Sequence, residues 1–298
     1  MNAPVVLFTY KRKTHAQQVV EALSKCARAT ETDLIIYADG AKSQSDLNEV
    51  LELRSYLPTI SGFKSVTIHE SETNKGLALS ITQGVTDVVL TFGKVIVLED
   101  DILVSPFFLD YMNDALDFYE NEPKVMSISG YMYPHTKTLP ETFFFNVPLC
   151  WGWATWKRAW STYSNDTTDH YNYLNTQKEW KRFNKFGGTY LERQIRKNLT
   201  GKLTTWFINW HASVFRQNGY CLFPNITLVN NIGFDNSGEN TSASNNFNDE
   251  LAQRKIRVQS IPFKENSDAT QIIQHFYRFK ANKYIRAIKR FKKKVLKH

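Results

Sequence analysis

The first 135 residues alternate short apolar runs with stretches of helical periodicity. PVVLFTY (4–10), LIIYADG (34–40), SVTIHES (65–71), KVIVLEDD (94–101) and KVMSISGY (124–131) predict strands. Between them, 15–25 with apolar Val19, Val20 and Leu23, then 47–57, 77–90 and 106–119, predict helices. Strands alternating with helices of this length predict an α/β fold, a mostly parallel sheet with helices on both faces. Such sheets bind ligands beyond the carboxyl ends of their strands. After residue 135 the pattern becomes irregular. Residues 143–175 are aromatic and centre on CWGWATWKRAW, where Trp153, Trp156 and Trp160 fall at helical spacing. The stretch 178–202 predicts a helix interrupted by Gly187-Gly188, and 206–217 predicts another. CLFPNITLVNNIG (221–233) predicts one or two strands kinked at Pro224, and 235–250, rich in Asn, Ser and Gly, predicts a loop.

Composition narrows this picture. Of 298 residues 42% are hydrophobic, enough for a real core and too many for a disordered chain. Seven Trp make the chain aromatic-rich, a property that sugar-handling clefts share. No apolar run reaches the ~18 residues of a membrane span. MNAPVVLFTYKR places its charges after a short apolar run, the reverse of a secretory signal, so a cytosolic start is expected. Cys26, Cys150 and Cys221 are too scattered for a disulfide framework or a zinc site. The net charge of +8 is uneven: 278–298 holds ten of the 37 Lys/Arg and no acid, leaving 27 basic against 29 acidic residues elsewhere. A nucleic-acid partner is not expected, because it would need basic residues across a folded face.

The densest chemistry lies at the end of the fourth strand. Four apolar residues bury VIVL, and Glu99, Asp100 and Asp101 then emerge together. Adjacent carboxylates repel and are costly to desolvate, and a divalent cation offsets both effects. Mg²⁺ or Mn²⁺ takes one or two carboxylates plus substrate phosphates, so Asp101 is the candidate metal ligand, with Glu99 and Asp100 touching other parts of the ligand. Asp39, after the second strand, is placed to accept from a base or ribose. Asn74, Lys75 and Gly76 open a helix and suit an anion. Lys11 and Arg12, after the first strand, are placed to meet phosphate. Trp151-Gly152-Trp153 offers aromatic faces for a sugar ring, with Arg158 near enough in sequence to meet phosphate, while Trp156 and Trp160 read as core.

FTYKR, YADG, NKGLA, VLEDDILVSPFFLDYMNDAL, SISGYMYP, CWGWATWKRAW and FPNITLVNNIGFDNSG, in that order over residues 3–240, resemble bacterial sugar transferases distantly similar to the N-acetylglucosaminyltransferase I family. The resemblance implies a GT-A, Rossmann-like fold and a nucleotide-sugar donor, foremost a UDP-sugar. It also implies Mn²⁺ or Mg²⁺ and inversion at the anomeric carbon. By motif match Glu99-Asp100-Asp101 is the acidic triplet whose last Asp holds the metal. Asp39 is the nucleoside-binding Asp, Tyr10 and Arg12 meet the donor, and Trp151, Gly152 and Trp153 form the aromatic loop beside donor sugar and acceptor. One departure concerns the general base. Phe207 stands where relatives carry an Asp directly after a Trp, and Phe cannot accept a proton. Asp235, Glu239 and His211 are the candidate replacements.

The resulting division is one domain over 1–275, with a nucleotide-binding half 1–135 and an acceptor half 136–275, followed by a tail 276–298. In the tail, Tyr277, Ala281, Tyr284, Ile285, Ile288, Phe291 and Val295 fall at helical spacing among basic residues. That predicts a basic C-terminal helix lying on an anionic membrane surface. The expected partners are therefore a nucleotide-sugar donor, a glycan or glycolipid acceptor and the inner face of the cytoplasmic membrane. Two rivals remain at this point. A sugar nucleotidyltransferase shares strand-end carboxylates and a metal, but favours a Gly-rich first loop that YKRKTHAQ lacks. A non-catalytic nucleotide-sugar-binding scaffold at the membrane would account for Phe207.

Overall fold

β1 (Val5–Thr9) is apolar at nearly every position and buried throughout, as a central strand covered by helices must be. The computed structural model describes residues 1–185, 189–235 and 247–277. In it β1 lies parallel between β2 (Asp33–Ala38) and β4 (Lys94–Glu99). β3 (Ser65–Glu70) extends the sheet beyond β2, also parallel. On the other side follow β8 (Trp153–Trp156), β6 (Val125–Ser129), β9 (Tyr220–Pro224) and β7 (Thr142–Phe145), giving the order β3-β2-β1-β4-β8-β6-β9-β7. Four of the seven pairings are parallel, and the three antiparallel ones all involve β7 or β8. One sheet thus runs through both halves of the chain. A separate antiparallel ribbon joins β5 (Ile102–Val104) to β10 (Val229–Asn231).

The helices of the first half form where the periodicity places them: α1 (Lys13–Ser24), α2 (Leu47–Tyr56), α3 (Leu77–Phe92) and α4 (Phe108–Phe118). Each buries an apolar stripe, as α1 does with Ala16, Val19, Val20 and Leu23. α3 lies close on the sheet because residue 84 is glycine; a Cβ there would meet the Phe8 ring at 2.8 Å and the Tyr37 ring at 3.1 Å. α1 and α4 are tied together by Arg28, which bonds Asp110 at 3.1 Å and also reaches Asp114.

In the second half the structure departs from the local pattern. Trp153 and Trp156 belong to a strand, and a helix, α5 (Lys157–Trp160), begins only after them. Both edges of β8 pair, with β4 and with β6, and this long-range pairing overrides the helical spacing of three Trp. Beyond it come α6 (Thr167–Thr176), α7 (Trp180–Phe183), α8 (Tyr190–Leu199) and α9 (Trp206–Arg216). On one face of β8, Trp153 stacks on Trp206 with centroids 5.2 Å apart, and Trp160 and Trp210 complete an aromatic core. On the other, the Trp156 indole N–H donates to Leu116 O at 3.0 Å.

Arg158, expected to meet a phosphate, is a structural residue instead. Its guanidinium lies 4.2 Å over the Trp156 ring and donates to Tyr119 O, Glu120 O and Val125 O at 2.8, 2.7 and 2.8 Å. Those carbonyls belong to the two residues after α4 and the first residue of β6, so the side chain ties the helix end to the strand. Phe276 and Tyr277, placed by the sequence in the tail, belong to a helical stretch described over 267–277 that packs on the domain. There the Tyr277 and Tyr133 hydroxyls bond at 2.8 Å. The rest of the expected amphipathic tail lies outside the described residues. Among the described residues no helix is long and apolar enough to cross a membrane.

Replacing Arg158 by Ala should lower stability by about 2–3 kcal/mol, the scale of charged hydrogen bonds to buried carbonyls. Urea denaturation reads this, and ligand affinity of the folded fraction should stay unchanged. A loss of affinity at unchanged stability would restore Arg158 to the phosphate site.

Candidate functional site

Every parallel strand of the first half ends at one edge, and the acidic triplet stands at its centre. β4 leaves the core at Glu99; Asp100 and Asp101 follow in the turn to β5 and are themselves buried. Arg12, at the end of β1 and the start of α1, reaches across to both. It bonds Asp100 through Nη2, and the same nitrogen bonds Asp101 Oδ2 at 2.9 Å. Burial disfavours the guanidinium charge, but the two carboxylates outweigh it and hold Arg12 firmly protonated. Burial, added to the repulsion of its neighbours, pushes the Glu99 carboxyl well up. Asp100 is likewise raised, first by burial, with Arg12 working the other way.

One guanidinium cannot satisfy three carboxyl groups. Asp101 Oδ1 is buried without a hydrogen-bond partner among the described residues, and so is Arg12 Nη1. Among the described residues no group of three or more His, Cys, Asp or Glu is arranged to hold a metal ion. The protein itself therefore offers Asp101 and at most a neighbour. That donor set fits Mg²⁺ or Mn²⁺, which completes its coordination with water and phosphate oxygens, and does not fit a closed structural site.

The β5–β10 ribbon brings a distant segment onto this pair. Ile232 N–H donates to Asp101 O at 2.9 Å, and Gly233 N–H donates to Asn231 Oδ1 at 2.8 Å. A Cβ at Gly233 would run into Asp101 Oδ2 and the Arg12 guanidinium, so only glycine lets this strand cross so close. Asp235 then reaches the rim, about half exposed, with its Oδ2 3.1 Å from His15 Nε2 on α1. The crossing is pinned from the far side. Asn231 and Asn248 exchange hydrogen bonds of 3.2 and 2.9 Å, and Asn230 bonds Asp249 in the same reciprocal way.

Asp39 does something other than the sequence suggests. Its Oδ1 accepts from Gly40 N–H at 2.9 Å and Lys75 N–H at 2.8 Å. Its Oδ2 accepts from Gly76 N–H at 2.8 Å and Asn74 Nδ2 at 3.2 Å. The anion held by the 74–76 amides at the start of α3 is the chain's own Asp39. With four N–H groups on it, the carboxylate latches two loops together and has no lone pair left for a base or ribose. Tyr10 and Lys11 are also engaged away from the triplet. The Tyr10 hydroxyl donates to Asp46 Oδ2 at 2.8 Å, and Lys11 pairs with Asp46 and Glu49 at 2.6 and 3.2 Å.

The aromatic loop divides. Trp153 is 1% exposed and belongs to the core, not to a ligand surface. Trp151 is half-buried at the edge, ringed by Tyr131, Phe234 and Phe247 with centroids 4.8–5.7 Å away. Gly152 is buried, its carbonyl accepting from Gly130 N–H at 2.7 Å. β8 starts at this edge because it runs antiparallel to β4, which is why Trp151 comes beside the acidic strand end.

His211 is no candidate base. It is fully buried on α9 with its ring 4.6 Å from that of Phe183, and among the described residues neither ring nitrogen has a side-chain hydrogen-bond partner. Burial pulls its pKa down to about 3. Glu239 lies outside the described residues. Phe207, one residue into α9, is half-buried beside Trp206. His15 and Gly233 escape the sequence reading. His15 was within reach, since it follows Arg12 by three residues on one helix face. Gly233 was not, since its role depends on a ribbon joining residues more than a hundred apart.

No protein-family model matches the sequence, and no curated protein matches it. Among solved structures, the chain is similar to S. aureus TarS at 17% identity and TM-score 0.33, over 47% of this chain and 23% of that one. It is similar to TarS 1–349 at 12% and 0.44, over 77% and 60%. It is also similar to the mannosyltransferase PcManGT from Pyrobaculum calidifontis, in complex with GDP-Man and Mn²⁺, at 10% and 0.35, over 53% and 45%. The chain spans less than two thirds of the length of each of these structures. All three TM-scores lie below 0.5, so the likeness by itself assigns neither activity nor ligand to this chain.

The depressed His211 pKa sets an acid limit on stability. The unfolded imidazole binds a proton near pH 6.5 and the folded one only near pH 3, so its contribution is complete above 6.5 and lost progressively below. Between pH 5.5 and 4 the protein should lose ~1.3 kcal/mol per pH unit more than His211→Phe does. Urea titrations at several pH values compare the two. Parallel slopes would mean that His211 is hydrated in solution.

Proposed function

We propose that this chain transfers a sugar from a nucleotide-sugar donor to a hydroxyl group of an acceptor, with a divalent cation. The observation that carries the proposal is the end of β4. At the ligand-binding edge of an α/β sheet three carboxyl groups follow one another, one guanidinium bonds two of them, and Asp101 Oδ1 is buried without a partner among the described residues. That arrangement asks for one more cation, and a nucleotide diphosphate brings one with it.

Asp101 would hold Mn²⁺ or Mg²⁺, with Asp100 and Glu99 beside it. The bound ion would supply positive charge to the leaving diphosphate. Arg12, held protonated by the two carboxylates it bonds, adds a second positive charge at the same place. Trp151 offers an aromatic face at the rim, where the sugar ring and acceptor would lie. Of the candidate bases Asp235, half exposed and paired with His15, is the one that would take the acceptor proton, since Phe207 cannot and His211 is buried. The Asp39 latch shapes the donor side by fixing the 74–76 loop. A UDP-sugar is the first donor to try. A growing surface glycan or glycolipid at the inner face of the cytoplasmic membrane is the acceptor this reading favours, on the grounds of the basic tail.

Two substitutions and one binding measurement test this. Asp101→Ala should remove turnover and the Mn²⁺-dependent rise in melting temperature given by the matching sugar nucleotide, while the far-ultraviolet dichroism stays that of the wild type. Asp235→Asn should keep that donor-induced rise and lose ~10²–10⁴-fold in kcat, the scale of a general base. Full turnover by Asp101→Ala would sink the metal assignment. Donor binding with no transfer to any acceptor would leave a nucleotide-sugar-binding scaffold. Pyrophosphate release from a nucleoside triphosphate and a sugar phosphate would instead identify a nucleotidyltransferase.

A further inference from the structure

The charge of the folded domain is nearly balanced in sum and uneven in place. Residues 178–202 carry eight Lys/Arg against two Glu, while the rest of 1–277 carries 19 Lys/Arg against 27 Asp/Glu. α8, which lies within that basic stretch, packs on α6, α7 and α9 and buries Leu191 and Ile195. At about 3.6 residues per turn, Tyr190, Arg193, Arg196 and Lys197 fall on the opposite side, and all four are exposed. Like charges three or four residues apart on a helix repel, and Arg193 stands in that relation to both Arg196 and Lys197. Glu192 is the one acid on α8, and it is taken by Arg196 at 2.8 Å. Arg193 donates to Thr189 O at 3.3 Å, and neither it nor Lys197 has an ion pair among the described residues. The outward face of α8 is thus a stripe of three cations and one tyrosine that the domain itself does not neutralise.

This stripe begins on the side of the Trp151 rim. Trp151 lies beside Tyr131 with centroids 4.8 Å apart, Tyr131 beside Tyr133 at 5.0 Å, Tyr133 beside Tyr277 at 5.5 Å, and Tyr277 beside Tyr190 at 6.2 Å. One row of aromatic rings therefore joins the rim of the acidic site to the start of α8. Tyr277 is also where the described chain stops, so the sequence 278–298, with ten Lys/Arg and no acid, continues from beside Tyr190. Two basic segments start from one point. Further along the stripe the Arg196 guanidinium lies 5.1 Å from the centre of the Tyr171 ring and 5.8 Å from that of Trp180.

We propose that the outward face of α8 docks on a membrane surface of anionic phospholipid. The surface potential of such a membrane attracts exposed Lys and Arg and is the counter-charge that Arg193, Arg196 and Lys197 lack within the domain. Tyr190 supplies the kind of ring that sits at headgroup level, apolar in body and polar at its tip. The basic sequence that follows Tyr277 meets the same surface from the same side. A single-stranded nucleic acid fits this face less well, because it stacks its bases on open aromatic planes, and Arg196 lies over the Tyr171 ring. Docked in this way, the Trp151 rim would open near the bilayer, and an acceptor with a lipid anchor would reach it without leaving the membrane. That consequence rests on the sugar-transfer reading; the docking itself does not.

The test is co-sedimentation of the full chain with lipid vesicles, without donor or metal, so that it stands whether or not the sugar-transfer reading does. The wild type should bind vesicles of phosphatidylcholine with phosphatidylglycerol, not those of phosphatidylcholine alone, and added salt should weaken the binding. The sequence 278–298 contributes to that binding, so the part of α8 is read by substitution. Arg193→Gln together with Lys197→Gln should weaken it about 30-fold, at about 5-fold for each cation near the surface. The same loss of charge on the α1–α4 side, Lys25→Gln together with Lys255→Gln, should change it about 2-fold at most. Circular dichroism shows that each variant is folded. Should the α8 double variant fail to fold, Lys197→Glu alone should weaken binding by more than about 5-fold. A wild type that ignores the anionic vesicles, a folded α8 variant with wild-type affinity, or an equal loss in the α1–α4 pair overturns the proposal. Binding of a single-stranded RNA through Arg193 and Lys197 without binding of vesicles overturns it too, and would make the face a nucleic-acid surface.

Discussion

The contact on which this molecule depends is the guanidinium of Arg12 set between Asp100 and Asp101 at the end of a buried strand. A strand as apolar as VIVL carries its own end into a low-dielectric region, and the chain places three carboxyl groups there in succession. Unpaired, each would be driven toward its neutral form, as Glu99 and Asp100 already are in part. Arg12 keeps charge at this point, and it can do so because β1 and β4 are neighbours and parallel, so that their ends coincide. The β5–β10 ribbon then closes over the pair through Gly233. The resulting cluster sets three carboxyl groups against one guanidinium and leaves Asp101 Oδ1 without a hydrogen-bond partner among the described residues.

The rest of the edge is organised by internal pairing of the same kind. Asp39 uses its whole carboxylate on the loop that opens α3, and Tyr10 and Lys11 are drawn to the start of α2 by Asp46. Several groups that look ligand-directed in the sequence thus satisfy one another. What they leave is a rigid frame around a short list of uncommitted atoms, Asp101 Oδ1 foremost. Rigid loops held by buried hydrogen bonds position a ligand without touching it, which is the arrangement expected around a site that must stabilise developing charge.

The two ends of the sheet differ. Its centre, where β1, β4 and β8 meet, carries the acidic site on one side and the Trp153–Trp206 core on the other. One end is sealed by the chain's return over β7, and at the opposite end β3 pairs only with β2 among the described residues.

The alternation of strands and helices over 1–135 was legible because each element there is defined by its own neighbours in sequence. A buried parallel strand needs a continuous apolar run, and a covering helix needs a 3.6-residue stripe. The acidic triplet and Arg12 were legible for the same reason, each lying directly after such a run. The second half was not, because its elements exist through distant partners. β8 is a strand only because β4 and β6 take both its edges, against the helical spacing of its own Trp residues. Trp153 goes to the core and Trp151 to the rim for the same cause. His211 and Arg158 have chemistry that suits a site, and burial in one case and three backbone carbonyls between α4 and β6 in the other removed them from it. The sequence by itself determined which residues carry charge and where the first-half strands end. Only the tertiary structure decided which of those charges already have a partner, because a hydrogen bond across a hundred residues leaves no local trace in the chain.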